Sequence, residues 1–145
     1  MKKKLWFAIG AVILVVAAFF IFQTDFFSGE KGEKEVFVTV KDEVKNVVLL
    51  ERARFHTDAE TLGDFLEEKK ETLGVVMVDS EYGRFVTTVK NLASTDMQNG
   101  PWWMYAYESP SKNLTMEVGQ APGVDEVGLS DQDEVIFVFT QDMGF

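Results

Sequence analysis

Hydrophobic and polar positions change regime several times along the chain. Residues 5–22 form an apolar run without a single charge, behind Lys2, Lys3 and Lys4. Eighteen helical residues rising about 1.5 Å each span roughly 27 Å, close to the thickness of a bilayer core. Signal-peptide cleavage needs small residues one and three positions before the cut. Ala17 and Ala18 lie inside the run, and Phe19-Phe20-Ile21-Phe22-Gln23 offers no such pair. The pattern therefore predicts an uncleaved signal anchor over 1–24, with the lysines cytoplasmic and Trp6 near the interface. Residues 25–35 follow as a polar linker of glycine and alternating charge, too polar to bury anything.

A folded domain is expected over 36–141, with 142–145 as a tail. Val36-Phe37-Val38-Thr39-Val40 is compact and β-branched, and 47–55 repeats the character after a polar turn, so the two predict a hairpin. A helix follows. Thr61-Leu62-Gly63-Asp64 fits a capping box, with Thr57 and Glu60 as an alternative start one turn earlier. Leu62, Phe65, Leu66 and Leu73 make its apolar stripe, Glu67, Glu68, Lys69 and Lys70 its solvent face, and Gly74 its stop. Residues 75–78 and 85–89 read as the next strands, 114–118 as a brief one, and 135–139 as a final central strand.

The stretch Gly100-Pro101-Trp102-Trp103-Met104-Tyr105-Ala106-Tyr107 holds two of the three tryptophans and two of the three tyrosines. On a strand, Trp103, Tyr105 and Tyr107 share one face and Trp102, Met104 and Ala106 the other. Core packing is the expectation for Trp103, Tyr105 and Tyr107. Trp102, at the strand mouth beside the polar loop 94–99, is the ring best placed to stack on a planar ligand. A hairpin, a helix across a sheet and further strands make an α+β layout.

Charge narrows the partners. The chain carries 14 basic and 24 acidic side chains, and all but the three N-terminal lysines lie beyond residue 24. That leaves 11 basic against 24 acidic residues in the exterior part, a surface that repels phosphate backbones; no nucleic acid is expected. The absence of cysteine excludes disulfides, thiolate metal sites and a cysteine nucleophile. His56 is the only histidine and is expected at the surface. Asp131, Asp133 and Glu134 lack calcium-loop spacing and read as a solvated turn, as do Asp125 and Glu126. Asn113-Leu114-Thr115 matches a glycosylation acceptor with nothing else to support it. No catalytic residue, metal ligand or cofactor is nominated.

Thr61-Leu62-Gly63-Asp64-Phe65-Leu66, Val86-Thr87-Thr88-Val89, Trp102-Trp103-Met104-Tyr105 and the segment from Val127 to Phe137 occur in an order that resembles the transcobalamin-C-terminal-like domain family. These are bacterial surface domains of unknown function related to the small domain of vitamin B12 carriers. The resemblance implies a β-grasp-like mixed sheet with one helix packed across it. It also implies ligand contacts from Trp102, Trp103, Tyr105 and Gln132. Two positions depart from the family pattern: Gln132 stands where a glycine is usual, and Val127 where a tyrosine often precedes the turn. The large helical domain of the carriers is missing, so any corrinoid should be held weakly. The expected function is a membrane-anchored extracytoplasmic binding module for a soluble small ligand, corrinoid-like or another vitamin-type cofactor, beside an uptake system. The alternative is a docking domain for a membrane or surface protein.

Overall fold

Alternating β-branched and aromatic residues build the main sheet of this protein, whose computed structural model describes residues 32–142. The predicted anchor at 5–22 lies outside the described residues, among which no helix is long and apolar enough to cross a membrane. The architecture is mixed α+β and mostly strand. Strands β1 (Lys34–Asp42) and β2 (Val47–Thr57) form the predicted hairpin, and β8 (Asp133–Thr140) lies parallel to β1 on its other side. β6 (Trp102–Ser109) then pairs antiparallel with β8, and β7 (Leu114–Met116) closes the edge, giving the order β2-β1-β8-β6-β7. The final strand is thus central, as its two apolar faces predict.

The strands at 75–78 and 85–89 do not join this sheet. They form a second, three-stranded sheet of β3 (Val76–Ser80), β4 (Gly83–Val89) and β5 (Leu92–Ala93). The helix also differs from expectation. It divides at Lys69 (φ −103°, ψ 13°) into α1 (Leu62–Glu68) and α2 (Lys70–Leu73). Lys69 does not face solvent: it is 8% exposed, with Nζ 3.3 Å from the Glu68 carboxylate. Thr61 is the N-cap, its hydroxyl accepting from the Asp64 amide at 3.1 Å. The Asp64 carboxylate does not return the bond and turns instead to Arg84. Gly74 ends α2 at φ 60°, as a left-handed cap requires.

The core lies between α1 and one face of the main sheet. Val36, Val38, Phe55, Phe65, Leu66 and Val135 are fully enclosed there, and the Phe55 and Phe65 rings meet edge to face at 5.8 Å. Lys34 and Glu35, placed in the linker by composition, belong to β1. Glu35 has work to do: its carboxylate lies 3.4 Å from Arg54 and 3.8 Å from His56 Nε2.

Candidate functional site

Register places the aromatic strand against the last one: Trp103 opposite Phe139, Tyr105 opposite Phe137 and Tyr107 opposite Val135. The ring pairs are tilted, with centroids at 4.9 Å for Trp103–Phe139 and 6.0 Å for Tyr105–Phe137. Each aromatic that β6 contributes also carries a polar handle that needs a partner when buried. Trp103 is nearly buried and donates its indole N–H to the Leu92 carbonyl at 2.7 Å, tying the main sheet to β5. Tyr105 donates to the Pro122 carbonyl. Tyr107 is fully buried; it donates to the Asp133 carboxylate, and its oxygen accepts from Lys112 Nζ at 3.2 Å. Burial first, then this bond to Asp133, raises the Tyr107 phenol above its ordinary range.

Trp102, the first residue of the strand, is half-buried. Its ring lies back over Gly100, whose φ of +74° and missing Cβ both serve the approach; a methyl there would sit 2.8 Å from the indole. Its N–H donates to the Met97 carbonyl at 2.9 Å. The loop supplying that carbonyl is held by Asp96, whose carboxylate accepts from the Gln98 and Asn99 amides, and by Ser94, which donates to the Pro101 carbonyl at 2.6 Å. The polar loop read beside the tryptophans is therefore a built wall.

These elements enclose an open apolar cleft of about 240 Å³. Trp102, Trp103 and Tyr105 line it from β6, Phe85 and Val86 from β4, Met97 from the loop, and Gly123 and Val124 from a short 3-10 turn (Val124–Glu126). Phe85 and Met97 are exposed at 38% and 53%, so the mouth as well as the floor is apolar. Three of the four predicted ligand-binding residues are brought together here. Gln132 is not. It sits in the turn before β8, at the opposite end from Trp102, with φ +72° and its side-chain amide donating to Glu35 at 2.7 Å.

Sequence reasoning missed Arg84 and misread two acids: Asp133, which is fully buried and accepts from the Tyr107 hydroxyl, and Asp125. Asp125 is not a solvated acid. It accepts from the Arg84 amide at 2.8 Å, from Nε at 3.0 Å and from Nη2 at 2.6 Å, while Nη2 also reaches Asp64 at 2.9 Å. Gly63 and Gly83 leave room for the carboxylate, since a Cβ on either would stand 2.1 or 3.0 Å from its oxygens. The guanidinium holds the Asp125 carboxyl below the usual range, and the two carboxylates push Arg84 further up. This clasp fixes the 3-10 turn, hence one wall of the cleft, to β4 and to the start of α1. Burial, with the nearby Glu126 carboxylate second, raises the Tyr105 phenol. Among the described residues no three histidine or carboxylate side chains gather as a metal-binding set.

No family model matches the chain, and no curated protein does. Among solved structures, a Ruminococcus gnavus protein provisionally described as metal binding shares the fold. It superposes with a TM-score of 0.53 at 27% identity, covering 78% of this chain and 100% of that one. Haptocorrin in complex with Cbi aligns at a TM-score of 0.44 and 12% identity, over 75% of this chain and 26% of that one. That second likeness is too slight to bear on this chain's ligand.

Proposed function

We propose that this protein is a membrane-tethered extracytoplasmic module that binds a soluble small molecule in the aromatic cleft, without catalysis. The observation that carries the reading is the cleft itself: apolar on its floor and mouth, lined by Trp102, Trp103 and Tyr105, with walls fixed by hydrogen bonds. The parallel β1–β8 pair, flanked by antiparallel strands and crossed by a helix, fits the β-grasp-like arrangement of the transcobalamin-type domains. A volume of about 240 Å³ suits a body of one or two rings. A corrinoid is far larger and would offer the cleft only one edge, consistent with weak binding. The metal-binding description of the Ruminococcus gnavus protein finds no matching donor set among the described residues. The tether rests on the apolar run at 5–22.

A panel of corrinoids, vitamins and smaller ring compounds, followed by tryptophan fluorescence, tests this. A ligand should perturb emission saturably in the wild type and not in Trp102→Ala. A second reading has its own support: β2 is an edge strand with Val47, Val48 and Leu49 exposed, a template for a partner's strand. Silence across the whole panel, with strand-adding peptides binding at β2, would favour it.

A further inference from the structure

We infer that the cleft selects organic cations: a one- or two-ring body bearing an ammonium group, seated with its charge toward the 3-10 turn. The inference rests on the reading of the cleft as a ligand site and adds the ligand's charge class. The indole N–H groups of Trp102 and Trp103 and the Tyr105 hydroxyl already donate to backbone carbonyls, and the Ser94 hydroxyl does the same. Arg84 is the one charged side chain in the lining, and its Nε and Nη2 are committed to Asp125 and Asp64. A carboxylate or phosphate entering here would lose its hydration and find at most the Nη1 side of a guanidinium that two carboxylates already share.

A cation meets the opposite situation. Trp102, Trp103 and Tyr105 line the cleft, and an aromatic ring carries the negative lobe of its quadrupole on its face. Two carboxylates, Asp64 and Asp125, share the single guanidinium, so that group is negative on balance. Glu126 is exposed on the same turn that carries the lining residues Gly123 and Val124, and its field reaches the Tyr105 phenol. The excess of 24 acidic over 14 basic residues adds a long-range attraction of the same sign.

Three indoles matched in size test this by ligand-observed NMR titration of the full chain in detergent at low ionic strength: tryptamine, tryptophol and indole-3-propionate. The Trp102→Ala chain serves as the blank for partition into micelles. Tryptamine should bind about tenfold more tightly than indole-3-propionate, with tryptophol between them. Glu126→Gln should shrink that ratio about threefold and leave tryptophol unchanged. Acid binding as tightly as amine, or a ratio untouched by Glu126→Gln, overturns the charge selection while leaving the cleft as a site. Failure of all three to bind overturns the cleft reading itself, and this inference with it.

Discussion

The Arg84 guanidinium and the Asp125 carboxylate, 41 positions apart, meet at 2.6 Å and fasten the turn that forms one side of the aromatic cleft. Side-chain exposures of 24% and 30% put the pair between surface and interior. Hydrogen bonds to charged groups in such a setting contribute about 1.5–3 kcal/mol. Asp125→Ala should therefore lower stability by about 2 kcal/mol in urea denaturation and weaken ligand binding, because a wall of the cleft is released. Unchanged stability would mean the clasp is ornamental.

The same pair gives a pH dependence with a definite sign. Arg84 holds the folded-state Asp125 carboxyl below its unfolded value, near 3.9 for a free aspartate. The stabilisation is thus complete above about pH 4 and disappears as pH falls through the lower, folded value. Asp125→Asn should be less stable than wild type at neutral pH, and the gap should close toward about pH 2. Denaturation midpoints across that range measure it; a gap that widens on acidification contradicts the assignment.

Gly63 gives a prediction opposite to helix propensity. In an exposed helix, glycine to alanine gains about 0.5–1 kcal/mol. Here the added methyl would lie 2.1 Å from Asp125 Oδ1 and 2.9 Å from Arg84 Nη2, so Gly63→Ala should destabilise by about 1–3 kcal/mol. Removing the obstacle should restore the ordinary sign: in an Asp125→Ala background the same change should be neutral or stabilising. A double-mutant cycle reads this coupling directly.

Gln132 separates family pattern from function. Its left-handed φ of +72° costs a non-glycine residue about 1 kcal/mol, partly offset by the bond to Glu35. Gln132→Gly should leave stability the same or raise it by up to about 1 kcal/mol. Ligand affinity should not move, since the residue lies outside the cleft lining.

Much of the fold was legible because its signals are local. Val36 to Val40 and the segment 135–139 declare strands by β-branching and two-sided apolarity; Thr61 and Gly74 declare helix ends by cap chemistry. The face assignment of Trp103, Tyr105 and Tyr107 needed only the two-residue period. What escaped depends on distant pairings. Nothing near residues 76–93 reveals that those strands form their own sheet, and nothing near Asp125 reveals an arginine 41 positions earlier. Lys69 looked like a solvent residue because its neighbours are charged, yet the helix divides there and buries it. The aromatic half of the site could be read from one strand; Phe85, Met97 and Val124 joined it only through tertiary packing.

The most direct test follows the two indole N–H resonances of Trp102 and Trp103 while tryptamine and then tryptophol are titrated into the isotopically labelled full chain. Both resonances should shift along one saturable curve for each compound, with Trp6 unmoved. If Trp102 and Trp103 hold still to the solubility limit of both compounds, or if Trp6 alone responds, the cleft is not where this protein takes hold of a ligand.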